Sequence, residues 1–253
     1  MSFFDVGPEA YDQFMGRYSR QLSGPLADLA GVRPGQRVLD VGCGPGALTA
    51  ELVARLGVAG VAAVDPSESF VLAARARNPG VEVLQASAEQ LPFPDRSFNA
   101  AIAQLVVHFM SDPVAGLTEM ARVTRPDGVV AACVWDHGAG HGPLSRFWDA
   151  VHVLDPGAED ESRQAGAREG HLAELFEAAG LRDIQATALP ASLEHPDFDS
   201  WWNLFTLGVG PAGAYLASLS AERQAELRQT CRKMLPAGPF VLTVRAWTVR
   251  GLV

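Results

Sequence analysis

Val38-Leu-Asp-Val-Gly-Cys-Gly-Pro-Gly46 decides the fold of this chain. Residues Val38 to Val41 form a short apolar run of the kind found in buried parallel strands. Gly42, Gly44 and Gly46 follow at alternate positions, and Leu48, Leu52 and Leu56 then recur on one helical face. A strand, a glycine turn and a helix start form a site where a backbone can approach a ligand closely. Glycine has no Cβ in the way and accepts dihedrals that other residues resist. The helix N-terminus offers free N–H groups to an anionic end such as a carboxylate.

Moving outward, Gly60-Val-Ala-Ala-Val64 reads as the second strand, and Asp65 ends it. A carboxylate there, about twenty residues beyond the glycines, is placed to accept hydrogen bonds from a ribose diol. Gly42-x-Gly44-x-x-Ala47 also satisfies the dinucleotide pattern G-x-G-x-x-G/A, so a nicotinamide oxidoreductase stays open at this point. So does a plain structural turn, with Asp65 capping the helix that begins near Ser67.

Alternation continues downstream. Strands are expected at 37–41, 60–64, 81–84, 98–104 and 128–134, and helices at 46–56, 67–77 and 113–123. The third helix has a clear start, with Asp112 as N-cap and Pro113 at the first helical position. Further on, helices are expected at 170–179 and 220–234 and strands at 182–188 and 240–249. The expected fold is an α/β, Rossmann-like, seven-stranded and mostly parallel sheet with helices on both faces and an antiparallel edge. Residues 1–253 are expected to form a single domain. Segments 1–30, 135–165 and 197–218 would build a helical cap over the carboxyl ends of the strands, where ligands bind in such sheets.

Composition narrows the partners. The chain has 253 residues, 48 % hydrophobic, which suffices for one sizeable core and a cap. Its net charge of −9 and 20 scattered Lys and Arg leave no basic patch for phosphates, so a small molecule rather than a nucleic acid is the expected substrate. Cys43, Cys133 and Cys231 are isolated, against a disulfide framework or a structural zinc site. No leader-like h-region and no membrane-length apolar run is seen, so a reducing cytoplasm is the expected compartment. Oligomeric state stays open.

Three more segments carry a family resemblance: Ala86-Ser-Ala-Glu-Gln-Leu-Pro-Phe-Pro-Asp-Arg-Ser-Phe-Asn99, Gln104-Leu-Val-Val-His-Phe-Met110 and Ala121-Arg-Val-Thr-Arg-Pro-Asp-Gly-Val-Val130. With the glycine stretch, residues about 10–135 resemble the class I S-adenosylmethionine-dependent methyltransferases. Their small-molecule branch, which includes ubiquinone- and menaquinone-biosynthesis enzymes, is the part resembled. The resemblance implies S-adenosyl-L-methionine as cofactor. It places Asp40, Gly42, Cys43 and Gly44 at the methionine part and Asp65 on the ribose hydroxyls. Pro66 would lie along the adenine, Ser87, Ala88 and Glu89 at its rim, and Gln104 at the methyl end. Ser87 stands where the pattern often has Asp, and so does Asn99. Tyr11 and Tyr18 either close over the cofactor or pack on the sheet, and Arg17 either is solvated or meets the cofactor's carboxylate.

Methyl transfer from a sulfonium is an in-line displacement, and a base is needed only where the nucleophile must lose a proton. His108, just past the fourth strand, is the candidate base for a phenol or enol. His137 and His141 are secondary candidates in a glycine-rich segment expected to form a flexible lid; no metal site is expected there. Trp201, Trp202, Phe205, Phe147 and Trp148 suggest either an apolar, aromatic acceptor or ordinary cap core. The remaining alternative is a cofactor-binding partner protein without turnover.

Overall fold

A computed structural model describes residues 7–253. The expected cap segment 1–30 therefore lies partly, at residues 1–6, outside the described residues. The elements run, in chain order, α1 (Pro8–Tyr11), a π-helical turn (Asp12–Gly16), α2 (Arg17–Leu29), β1 (Val38–Val41), α3 (Ala47–Leu56), β2 (Val61–Asp65), α4 (Glu68–Arg77), β3 (Glu82–Gln85), β4 (Phe98–Gln104), α5 (Pro113–Val123), β5 (Thr124–Trp135), α6 (Ser145–Leu154), α7 (His171–Ala178), β6 (Arg182–His195), α8 (Phe198–Phe205), α9 (Gly210–Ser218), α10 (Ala221–Met234) and β7 (Phe240–Leu252).

One seven-stranded sheet results, in the order β3-β2-β1-β4-β5-β7-β6. The first five strands are parallel, and β7 inserts antiparallel between β5 and β6. β1 is buried along its whole length, which is why it reads as an unbroken apolar run apart from Asp40. Val38 pairs with Val61 on one side and Ala100 on the other, so the strand that carries the glycine turn sits at the centre. Asp112 caps α5 as expected, its Oδ1 accepting the Ala115 N–H at 3.0 Å.

Differences from expectation cluster at the ends of elements. β6 reaches His195 rather than stopping at 188, because it pairs with β7 residue by residue up to His195 opposite Phe240. β5 begins at Thr124 rather than 128. Thr124 pairs with Phe98, the register then shifts, and Asp127 adopts φ +61, so Asp127-Gly128 is an irregularity inside the strand. Within the expected cap segment 1–30 a π turn joins α1 to α2.

Two apolar cores fill the faces of the sheet, one under α2 and α3, the other under α5 and α7. A third core is the cap's own. Phe147 stacks on Phe205 at 4.6 Å, and Trp148, Trp201 and Trp202 close around them. These aromatic residues are cap core, and the alternative of an aromatic acceptor site made by all five is not what the structure shows. Leu227 and Cys231 of α10 and Phe240 of β7 join the same core, so the cap is larger than the three segments expected for it.

His137-Gly-Ala-Gly-His141 is not a loose lid. Asp136 takes the Arg245 guanidinium and the His141 imidazole, the latter at 3.0 Å, and its Oδ1 accepts the Ala139 N–H. Gly138 N–H reaches Ala167 O at 2.9 Å, and Arg245 N–H reaches His141 O at 2.9 Å. Burial alone would raise the Asp136 pKa, but the hydrogen bonds from Arg245 and His141 hold it below its ordinary value. A carboxylate with a depressed native pKa adds stability above its unfolded pKa and loses it as pH falls through the native one. Arg245→Met is expected to cost about 2 kcal/mol at neutral pH, less than a fully buried pair because the arginine is part-exposed. The difference should shrink below about pH 4 as Asp136 protonates. Denaturant melts at both pH values check this; a pH-independent loss would make the latch a matter of packing alone.

Candidate functional site

At the carboxyl end of the parallel strands the chain makes a tight arrangement of backbone groups. Gly42 N–H and Cys43 N–H both donate to Val64 O, at 2.8 and 2.9 Å. Asp65 completes the tie: Oδ2 accepts the Gly44 N–H at 2.8 Å and Oδ1 the Ser67 N–H at 2.9 Å. Gly42 has φ +69, and a Cβ there would come within 2.4 Å of Val106 Cγ2. Gly44 has φ +52 and open space where a Cβ would stand. Both glycines are therefore required, one by close approach and the other by conformation.

This turn floors an open cavity of about 530 Å³, within the usual size of a cofactor site. Gly42, Gly44, Asp65, Pro66, Tyr11 and Gln104 line it, together with Ser67–Phe70 at the start of α4. Tyr11 meets Phe70 edge-to-face at 5.3 Å and so helps roof the cavity from the N-terminal segment. Burial pushes the Tyr11 phenol up to about 12, so it stays a neutral donor. Gln104 donates through Nε2 to Ser19 O at 3.0 Å, while its buried Oε1 has no partner.

Other sequence candidates lie elsewhere. Cys43 is buried in the sheet core with its thiol raised well above the usual range by burial, so only its backbone serves the turn. Tyr18 packs edge-to-face on Trp135 at 5.7 Å. Arg17 donates to Glu194 O rather than reaching the cavity. Ser87, Ala88 and Glu89 do not line it: Ala88 is core, and Glu89 Oε1 accepts the Ser111 and Asp112 N–H groups ahead of α5. Gln85 lines that side instead. Residues 45–47, at the start of α3, are not among the residues that line the cavity.

Asp40 lies buried below the turn. Oδ2 accepts the Thr49 hydroxyl at 2.6 Å, and Oδ1 has no partner. Burial pushes its pKa up to about 7, Thr49 pulling it partly back and Asp65 pushing it further.

A second, enclosed cavity of about 40 Å³ adjoins the first across Tyr11, Leu105 and Phe109. Leu105 has φ +62, a left-handed conformation costing a branched side chain about 1–2 kcal/mol, held by its N–H to Cys133 O at 2.9 Å. His108 and His137 line this cavity, their rings 6.4 Å apart. Burial pushes His108 down to about 3 and His137 down to about 4. The expected near-neutral titration of His108 is therefore corrected: desolvation keeps its imidazole uncharged and only weakly basic. His141 is not in the cavity but on the latch with Asp136, facing a separate surface groove. Sequence reasoning missed Glu161 and Gln164, which line the cavity from the segment after α6, and Val209, Gly210 and Pro211 at the start of α9. Acids are common in residues 155–163, and nothing in that run marks which one is buried.

Residues 39–132 match the family described as "Methyltransferase domain". The chain is 43 % identical over 101 residues to a demethylmenaquinone methyltransferase of Beutenbergia cavernae, covering 40 % of this chain and 41 % of that one. It is 35 % identical over 149 residues to a ubiquinone/menaquinone biosynthesis C-methyltransferase of Cronobacter sakazakii, covering 55 % and 59 %. The chain thus spans about half the length of these curated relatives. A solved methyltransferase-like structure from an antibiotic biosynthesis pathway of Anabaena variabilis superposes with TM-score 0.61 at 20 % identity, covering 93 % of this chain and 100 % of that one. Residues 39–132 are thus similar to a methyltransferase domain, the matched relatives are ubiquinone- and menaquinone-type methyltransferases, and the fold is that of the solved methyltransferase structure.

Two outcomes test the floor of the site. Gly42→Ala is expected to cost about 1–3 kcal/mol in denaturant melts, from φ strain and the Val106 clash; an unchanged midpoint would show that the turn relaxes freely. Asp40 should protonate on folding between about pH 4 and 7, so stability falls as pH rises through that window. Asp40→Asn should therefore be more stable than the parent at about pH 8 and no more stable at about pH 4. A parallel pH dependence in both proteins would place the titration elsewhere.

Proposed function

We propose that this chain transfers the methyl group of S-adenosylmethionine to a small, largely apolar acceptor bearing a hydroxyl, of the quinol type, held beneath the cap. The observation that carries the reading is the pair of adjoining cavities, one floored by the glycine turn and Asp65, the other enclosed by apolar cap residues, meeting at Leu105.

The residues present fit the cofactor. Asp65 spends one lone pair of each oxygen on the turn and keeps others for ribose hydroxyls. Gln104 Oε1, a buried acceptor without a donor, suits the ammonium of an amino acid. Pro66 and Phe70 supply apolar surface for a base. Gly42, Gly44 and Tyr11 leave room for the methionine part. When bound, S-adenosylmethionine supplies an electrophilic methyl on a sulfonium, whose sulfur keeps the bonding pair. This chain's own part is alignment and the exclusion of water.

The enclosed cavity holds little more than a water or two at about 40 Å³. Acceptor entry thus needs the cap to part, and Gly208 and Gly210, both at positive φ beside Val209, supply the soft joint between α8 and α9. Cofactor cavity and cap act in this reading as one functional unit. The names of the menaquinone-type relatives support a quinol acceptor. Three cysteines, all free and buried, suit work in a reducing cytoplasm. Among the described residues no helix is long and apolar enough to cross a membrane.

Calorimetric titration tests the reading. S-adenosylhomocysteine and S-adenosylmethionine should bind and NADH should not. Asp65→Ala should weaken binding by about tenfold or more, the worth of a hydrogen-bonded carboxylate. Binding of NADH alone, or of no nucleotide, would overturn the assignment.

A further inference from the structure

On one side the enclosed cavity is separated from the outer surface by a single acidic residue and its histidine neighbour. Glu161 opens a short 3-10 turn (Glu161–Arg163), which Asp160 caps through the Ser162 N–H at 2.9 Å. Its side chain is 2 % exposed. It lines the enclosed cavity and also borders an outer groove formed with His137, Trp148, Asp149, His152 and Asp160. Glu161 and His137 are thus the wall common to both spaces.

Neither carboxylate oxygen of Glu161 meets a donor at bonding geometry. An unpaired carboxylate in such a place is costly, so it either holds a proton or waits for a partner. Burial pushes its pKa up to about 7, its own backbone N–H and the nearby Trp148 indole N–H pull it partly back, and Asp160 adds to the rise. Trp148 Nε1, outside the cavity lining, and Gln164 Oε1 and His108 Nδ1, on the same cavity, also lack partners at bonding geometry. Glu161, Gln164 and His108 share this cavity with Tyr11, Phe14, Phe109 and Trp135. A ligand with an apolar body and a hydrogen-bond donor satisfies them; a ligand with acceptors only leaves the carboxylate unmet.

We propose that Glu161 binds the hydroxyl of the acceptor, takes its proton, and passes that proton to water in the outer groove. The proposal rests on the reading of the enclosed cavity as the acceptor site. The acceptor O–H bond breaks, the proton joins a Glu161 oxygen, and the bonding pair stays on the acceptor oxygen. That charge activates the oxygen itself, or a ring carbon conjugated with it, toward the methyl group. The resulting neutral carboxyl then returns its proton to groove water beside His152 and Asp160, which stand 3.8 Å apart. The titratable groups facing Glu161 are Tyr11, His108 and His137 from the cavity and Asp149, His152 and Asp160 from the groove. Tyr11, His108 and His137 are uncharged near neutrality, so on the cavity wall the change of charge belongs to Glu161. The base sits on the cap, not at the end of β4 where His108 stands.

Glu161→Gln, isosteric with the protonated carboxyl, is compared with the parent, both loaded with S-adenosylhomocysteine. The probe is 2-naphthol, which emits as the anion when a proton acceptor touches its hydroxyl. The parent should bind it with anionic emission that grows through about pH 7. The variant should bind it about tenfold more weakly, as for the loss of one charge-assisted hydrogen bond, and emit as the neutral form at every pH. Infrared titration should show a protonated carboxyl band fading near pH 7 in the parent and a smaller one in the variant, the remainder belonging to Asp40. Thermal melts should show the variant as stable as the parent or more so above that pH, because it never buries a charge. Glu161→Ala, melted and titrated alongside, covers a misfolded glutamine variant. Unchanged naphthol binding or an unchanged carboxyl band in either folded variant overturns the proposal. Preference for 2-naphthylmethylamine, with the same loss in the variant, overturns the hydroxyl assignment. Failure of the parent to bind S-adenosylhomocysteine sinks the methyltransferase reading itself, a separate result.

Discussion

Everything at the open end of the sheet depends on how β1 hands over to α3. The chain must leave a strand buried on both sides, cross the tip of β2, and start a helix within five residues. Val64 O and the Asp65 carboxylate make that possible by taking three N–H groups from Gly42, Cys43 and Gly44. Each of those donors would otherwise be an unmet polar group at the edge of a core, costing about 1–3 kcal/mol. Asp65 therefore acts first as part of the fold. Its spare lone pairs point to the cavity only because its others are fixed by the turn. Asp40 below and Val106 above are held by the same geometry, which is why a Cβ at Gly42 has nowhere to go.

The cap obeys a different constraint. Its aromatic core is assembled from α6, α8, α9, α10 and the start of β7, elements drawn from well-separated parts of the chain. Such a core closes tightly over whatever polar groups its loops carry inward. Around the enclosed cavity those groups are Glu161, Gln164 and His108, and they are left without partners. A core that only stabilised the fold would be better without them. Their retention beside the cofactor cavity is the mark of a site that a ligand completes.

Much of this was legible in the sequence, and the division follows the range of the forces. β4 at 98–104, the start of α5 at Asp112-Pro113, and the roles of Gly42 and Asp65 in the turn all rest on local chemistry: periodicity, a cap, a missing Cβ. A mostly parallel sheet followed from the alternation of strands and helices. Extended β6 and the early start of β5 were not visible, since the partner strand sets where pairing ends. Tyr18, Cys43 and Arg17 carry side chains suited to a cofactor, yet packing turns two into the core and the third toward Glu194. His108 was found by position but its basicity was not, because desolvation depends on Phe109 and on His137, nearly thirty residues away. Leu105 at positive φ breaks a rule that sequence reading must assume.

The boundary of the family match runs along the same division. It covers residues 39–132, the strands and turns that hold the cofactor cavity, and ends before β5 gives way to the cap. Of the enclosed cavity only Leu105, His108 and Phe109 fall inside it; Phe14, Trp135, His137, Leu144, Glu161 and Gln164 do not. On the proposed function, the residues that touch the acceptor come largely from separate segments of the cap, and Glu161, buried there, is the group whose chemistry the acceptor has to meet.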